Sequence, residues 1–186
     1  MSRLPLQTLD TAPAASRSFV ARAIANNGYL PNLIAALSNA PAALETYLTV
    51  SEINSRSSLT LAEREVVQLT AASTHGCAFC VAGHTAVALR KAKLSPEQVE
   101  ALRGRSQVGD GRLDALAAFT QAVIRERGAV ADSALQDFVA AGFDPAQALD
   151  VVLGVSLATL CNFANNLAQS PLNPELEPYR WSPAAA

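Results

Sequence analysis

Helix punctuation recurs along this chain, and the strict apolar–polar alternation that a strand requires is nearly absent. Residues 14–27 read as a first helix, stopped by Asn27-Gly28. Pro31 starts a second, to about Asn39, and Pro41 a third, to about Ser55, with proline at the first helical position each time. Ser57-Ser58-Leu59 is a linker. Thr60 opens a fourth helix, to about Ser73, and Glu63 completes a capping-box pattern. His75-Gly76 breaks it, and a fifth helix runs from near Cys77 to about Lys91. Ser95-Pro96 caps a sixth, to about Arg103. A polar loop, 104–111, leads to helices over 112–127 and 132–141, and a long last one runs from Asp144-Pro145 to about Gln169. The tail from Ser170, with Pro171, Pro174, Pro178 and Pro183, reads as extended, either docked or hanging free. The expected fold is therefore all-α, with about eight or nine helices. We read 1–186 as a single domain: an N-terminal helical extension (about 1–56), a core bearing the Cys pair (about 57–169) and a Pro-rich tail (170–186). Ala92-Lys93-Leu94-Ser95-Pro96-Glu97-Gln98 and Ala141-Gly142-Phe143-Asp144-Pro145-Ala146-Gln147 echo each other, which shared helix punctuation explains as well as duplication does.

Half of the chain is apolar and 16% is charged, enough for a sizeable core. The formal net charge is −2 and the basic residues are scattered, so nothing points to nucleic acid or an anionic membrane. Met1 to Asp10 lacks the apolar stretch of a secretory signal. Val151 to Ala164, the longest apolar run, is interrupted by Gly154, Ser156, Thr159 and Asn162, and falls short of the roughly 20 residues a bilayer demands. A cytoplasmic protein is expected. Cys77, Cys80 and Cys161 do not make a secreted disulfide framework, and in a reducing compartment a close pair is redox-active or metal-binding more often than structural.

The segment from Glu65 to His84 carries the chemistry. At about 100° per residue, Cys77, Cys80 and His84 fall within about 60° on one helix face. Cys80 and His84 are i,i+4 neighbours. Only a thiolate attacks, and a free thiol with a pKa of about 8.5 is mostly protonated at neutral pH. The helix N-terminus, acting mainly on Cys77, and the His84 ring beside Cys80 are each expected to lower that pKa. Glu65 shares a face with Leu61, Leu69 and Ala72, opposite Glu63, Arg64 and Gln68. A carboxylate in that apolar sector needs a partner, and a Glu65–His84 hydrogen bond would orient the ring and raise its basicity.

Competing readings stand beside each of these. A CxxC pair is also a common zinc motif, but no second close Cys or His pair exists to complete a site, and no metal or cofactor is expected. Glu65 as a surface acid is nearly as good a reading as Glu65 as a buried one. Cys161 reads as a buried core thiol, His75 as a loop residue, Phe79 and Val81 as packing residues. The Asn162, Asn165 and Asn166 cluster reads most simply as capping the last helix.

Glu65, eleven intervening residues, Cys77-x-x-Cys80, three more and His84 resemble the signature of the alkylhydroperoxidase D-like branch of the carboxymuconolactone decarboxylase family, in its peroxidase-related subgroup. Gly28-Tyr29-Leu30-Pro31-Asn32-Leu33 with Pro41, Leu94-Ser95-Pro96-Glu97-Gln98-Val99 and Asn162-Phe163-Ala164-Asn165-Asn166 extend the resemblance over most of 19–175. It implies an all-helical fold, a homo-oligomer (trimer or hexamer) and peroxidase activity. Cys80 would be the peroxidatic thiol, Cys77 the resolving thiol, and His84 with Glu65 the proton relay. Phe79 stands where the best-known branch has a second histidine. The decarboxylase branch lacks the Cys pair, so lactone decarboxylation is not expected. Helix-dipole reasoning favours Cys77 as the more acidic thiol, whereas proximity to His84 and the family mapping favour Cys80. The expected activity is reduction of alkyl hydroperoxides or hydrogen peroxide, with an external lipoyl- or thioredoxin-like dithiol as reductant. The alternatives are a thiol–disulfide oxidoreductase or redox sensor, and a non-enzymatic helical oligomer with a structural Cys pair.

Overall fold

A computed structural model describes residues 2–182, and among them every regular element is helical. In chain order the helices are α1 (Ala14–Asn27), α2 (Asn32–Leu37), α3 (Pro41–Ser55), α4 (Leu61–Thr74), α5 (Ala78–Val87), α6 (Pro96–Gly104), α7 (Gly111–Arg125), α8 (Asp132–Ala140) and α9 (Pro145–Ala168). α5 runs on into a π-helical turn, Ala88–Ala92, and a 3-10 turn, Pro174–Tyr179, lies in the tail. The punctuation acts as its chemistry dictates. Thr60–Glu63, Ser95–Gln98 and Asp144–Gln147 each form a capping box in which both partners satisfy free helix-end N–H groups. The two echoed segments are thus two copies of one capping device.

α4 is the centre of the fold, packed by α5, α6, α7 and α9. It is buried almost all round, so Glu63 and Gln68, assigned to its polar side from the sequence, are inside as well. Each has a partner. Gln68 Nε2 donates to the Gly154 carbonyl at 2.9 Å. Arg112 Nε donates to Glu63 Oε1 at 2.9 Å, and its guanidinium lies 3.7 Å from the Phe143 ring centroid. Burial works to raise the Glu63 pKa, but its hydrogen bonds with Thr60 and the Arg112 charge outweigh it and hold the carboxyl below its ordinary value. The stabilisation is therefore present above the unfolded carboxyl range of about 4.3 and is lost as pH falls through the lowered folded value. Arg112→Met should cost about 2–3 kcal/mol at neutral pH, since it strands a buried carboxylate. Urea unfolding at pH 7 and pH 3 checks this, with the difference shrinking at the lower pH.

α9, 24 residues long, is long and apolar enough by length and composition to cross a membrane, contrary to the sequence estimate for Val151 to Ala164. Here α2, α3, α4, α5 and α7 pack around it, and Asn162 and Asn165 are buried on its inner face. Gly154 is where α9 meets α4: a Cβ there would stand 2.9 Å from Val67 Cγ1, a branch of a stiff, fully packed side chain. Gly154→Ala should therefore destabilise by about 1–3 kcal/mol through overpacking, offset by up to about 1 kcal/mol of helix propensity. Thermal unfolding measures the balance, and a raised midpoint would contradict the close approach.

The tail docks instead of extending freely. Asn173 Oδ1 accepts from the Asn32 N–H at 2.8 Å, Leu176 is buried in the core, and Arg90 lies over the Tyr179 ring at 5.1 Å. The 3-10 turn thereby packs along α5. Its prolines rule out an α-helix but leave a short 3-10 turn open to the chain. Pro183, part of the expected extended tail, lies outside the described residues.

Candidate active site

The α4–α5 corner positions the Cys pair. α4 ends at His75, Gly76 takes a left-handed φ of +66° that a side chain would strain, and the chain turns into α5. Cys77 is not in the helix, as the face argument assumed, but is its N-cap. Its Sγ accepts from the Cys80 N–H at 3.4 Å, so the sulfur folds back over the first turn. Cys77 and Cys80 are both buried free thiols.

On α4, Glu65 points inward from a 6% exposed position, and its Oε2 lies 2.8 Å from His84 Nδ1. The ring is less covered than the carboxylate, 27% against 8% by side chain. Burial works to lower the His84 pKa. The charge of Glu65, its hydrogen bond and the nearby Cys77 outweigh this, so the imidazole is more basic than usual. With Nδ1 held by the carboxylate, Nε2 is left as the working nitrogen. The structure thus brings Glu65 and His84 together. It does not give His84 a hydrogen bond to either sulfur, and its charge acts on Cys77.

Neither thiol is acidified in this resting arrangement, contrary to the expectation from the helix terminus and the imidazole. The hydrogen bond with Cys80, then burial, push the Cys77 thiol up, while the Cys80 N–H and His84 pull weakly the other way. The hydrogen bond with Cys161 and burial push Cys80 up, against relief from Cys77 and from Asn165. The neighbouring thiols and burial together win, because a thiolate here loses its water and gains only weak donors in return. Alkylation of each thiol by iodoacetamide should be slow at pH 7 and rise about tenfold per pH unit towards pH 9. Fast alkylation independent of pH would show a thiolate already present.

α9 supplies the residues that sequence reasoning missed. Asn165 Nδ2 donates to Cys80 Sγ at 3.4 Å, Asn162 Oδ1 lies 3.0 Å from His75 Nδ1, and Asn166 Nδ2 donates to the His75 carbonyl at 2.9 Å. The cluster grips the α4–α5 corner and does not cap its own helix. His75, read as a loop residue, lies in the turn just past α4 and rests edge-on against Phe163, with ring centroids 5.0 Å apart. Phe79 and Val81 are buried. Tyr47 on α3 stands within electrostatic reach of Cys161, Cys80 and Glu65; burial first, then those groups, raise its hydroxyl pKa. The available signal was three asparagines in an otherwise apolar helix, since buried amides need partners. Nothing local marks Tyr47. Among the described residues, no three or more His, Cys, Asp or Glu side chains cluster to hold a metal ion.

Two cavities flank the sulfurs. One, of about 170 Å³, is lined by Tyr47, Asn54, Glu65, His84 and Cys161. The other, of about 310 Å³, is lined by Gly76, Cys77, Phe79, Asn165 and Asn166.

The all-helical fold is alkylhydroperoxidase D-like, with a free Cys pair at the start of α5 and the Glu65–His84 pair joining α4 to α5. Residues 39–123 match the model of the carboxymuconolactone decarboxylase family. No curated protein matches it in sequence. Among solved structures it is similar to an alkylhydroperoxidase AhpD core, an uncharacterized peroxidase-related protein from Ralstonia eutropha JMP134, with a TM-score of 0.83 and 20% identity over 94% of each chain. An uncharacterized peroxidase-related protein from Silicibacter sp. TM1040 is similar with a TM-score of 0.81 and 19% identity over 96% of each chain. The debrominase Bmp8 C82A, in complex with 2,3,4-tribromopyrrole, is similar with a TM-score of 0.75 and 14% identity over 95% of this chain and 94% of that one. At these identities the likeness establishes the fold.

Proposed function

We propose that the protein is a thiol-dependent peroxidase that reduces alkyl hydroperoxides or hydrogen peroxide through Cys77 and Cys80. The observation that carries this reading is the Glu65–His84 pair, 2.8 Å apart with its carboxylate buried, on the helices that carry two free cysteines at a helix start. The hydroperoxide occupies the cavity that His84 lines. There Asn54 Oδ1, buried without a partner, accepts its O–H. The Cys80 proton passes to His84 once substrate closes the gap, since hydrogen bonds to such groups are often loose in the empty site. Cys80 sulfur attacks one peroxide oxygen, the O–O bond breaks, and His84 returns a proton to the leaving alkoxide. Cys77 then attacks the Cys80 sulfenic acid, expelling water and leaving a disulfide. An external dithiol reduces that disulfide by exchange, entering at Cys77 from the second cavity. Among the subunits of a homo-oligomer, Leu149 and Leu167 on α9, both well exposed, are side chains a second copy would cover.

The test is hydroperoxide consumption by the full chain with a lipoyl dithiol and with a thioredoxin. Turnover with either supports the reading. Fast disulfide exchange without peroxide loss replaces it with a thiol–disulfide oxidoreductase. The likeness to a debrominase supplies one further arm: loss of bromide from 2,3,4-tribromopyrrole in the absence of peroxide turnover would instead make these thiols dehalogenating.

A further inference from the structure

Three asparagines of α9 reach towards the α4–α5 corner, and they do not make the same kind of contact. Asn162 uses both ends of its amide: Oδ1 meets His75 Nδ1 at 3.0 Å, and Nδ2 donates to Cys161 Sγ at 3.4 Å. Asn166 Nδ2 donates to the His75 carbonyl at 2.9 Å. Asn165, 3% exposed, directs its Nδ2–H at Cys80 Sγ, 3.4 Å away, and its Oδ1 is buried with no hydrogen-bond partner among the described residues. As a structural clasp this is a poor arrangement. An N–H bond to a neutral thiol is weak, an orphaned buried acceptor is a net cost, and an apolar side chain of the same size would fill the space without it. The bond gains strength only when charge develops on the sulfur, since an N–H donated to an anion is roughly twice as strong as one donated to a neutral acceptor.

We propose that Asn165 is a catalytic residue whose amide N–H stabilises the Cys80 sulfur each time it carries negative charge, first as nucleophile and again as leaving group. Its part in the attack on peroxide rests on the peroxidase reading; its part in regeneration needs only that Cys77 and Cys80 form a redox pair. Cys77 lines the cavity at Gly76 and Cys80 does not, so an external dithiol meets Cys77 first. A thiolate of the dithiol attacks the Cys77 sulfur. A mixed disulfide forms, the Cys77–Cys80 bond breaks, and Cys80 leaves with the electron pair as thiolate. The second sulfur of the dithiol then attacks its partner in the mixed disulfide and releases Cys77. The dithiol is oxidised to a disulfide, the protein pair is reduced, and the two dithiol protons end on Cys77 and Cys80. Such exchange is faster the better the leaving thiolate is stabilised. Cys161 and burial push the Cys80 thiol up, whereas Cys77 and Asn165 pull it down. While Cys77 is held in the mixed disulfide it has no S–H to donate, which leaves Asn165.

The experiment reads both roles without peroxide. Diamide, an oxidant of thiol pairs, converts the full chain to the Cys77–Cys80 disulfide, and dithiothreitol then reduces it in a single turnover. Asn165→Leu should be reduced about three- to tenfold more slowly, the effect of one charge-assisted hydrogen bond partly formed in the transition state. In the reduced protein, the ratio of Cys80 to Cys77 alkylation by iodoacetamide, counted by mass spectrometry of the digest, should fall about threefold, because a rarer thiolate is partly offset by its greater nucleophilicity. Loosened packing would speed both thiols together, whereas a lost donor slows Cys80 alone. Asn165→Ala, a good helix residue, should show the same two changes and covers the case in which leucine disturbs the packing. Asn162→Ala, which removes the neighbouring clasp, should leave the ratio unchanged. Wild-type reduction rate and alkylation ratio in both Asn165 variants, or an equal fall in the ratio in Asn162→Ala, would overturn the proposal. If diamide forms no Cys77–Cys80 disulfide in the wild type, the redox pair falls and the peroxidase reading with it, and the alkylation ratio alone decides the role of Asn165.

Discussion

On the proposed peroxidase reading, a Cys80→Ser variant should lose hydroperoxide turnover to the buffer background, a fall of about 10³-fold or more, while folding and melting close to wild type. Removing a nucleophile removes the covalent route altogether, and the remaining groups that served it contribute little without it. Serine keeps the shape and still accepts from Asn165, so the structural cost is small. Cys77→Ser should behave differently: the first peroxide is still reduced, but multiple turnover stalls. Single-turnover and steady-state rates, compared between the two variants, separate attack from resolution. Full turnover by Cys80→Ser would remove Cys80 from the chemistry and transfer the assignment to Cys77.

The second large effect is expected at Glu65, which on the same reading acts through His84 as a positioning residue. Glu65→Gln keeps an acceptor for Nδ1–H but removes the charge. The rate should fall about 10²-fold, the lower end of what general acid–base catalysis supplies. The readout that a merely structural role would not move is the His84 titration. Burial lowers this pKa, and the charge of Glu65 is the main opposing influence. Without that charge the imidazole should titrate lower, which side-chain NMR measures directly. The sign for stability follows. The wild-type pKa is raised, so the ion pair contributes fully below the unfolded value of about 6.5 and is lost as pH rises through the folded value. Wild type should therefore exceed Glu65→Gln in melting temperature by more near pH 6 than near pH 9.

These two residues show what the sequence could carry. Glu65 was legible because its side chain falls among Leu61, Leu69 and Ala72, where a carboxylate demands a partner. His84 was the one ring within reach on the next helix. The helices were legible from caps and breakers such as Thr60, Ser95, Asp144 and Gly76, whose effects are local. What stayed hidden depends on contacts far along the chain. Asn165 reaches Cys80 from α9, Tyr47 on α3 lines the cavity of Glu65 and His84, and Asn173 pins the tail to α2. Helix-wheel reasoning also misjudged α4, because a helix enclosed by four others buries polar residues on every side. The direction of the thiol pKa values failed for the same reason. The pull of a helix terminus and an imidazole can be read from spacing, whereas the desolvation that opposes it belongs to the packed structure.

The most direct measurement treats the reduced full-length protein with one equivalent of hydroperoxide and then maps its thiols by mass spectrometry. The account predicts a Cys77–Cys80 disulfide formed with stoichiometric loss of peroxide, and formed much more slowly in Glu65→Gln. Three free cysteines beside unconsumed peroxide would contradict it.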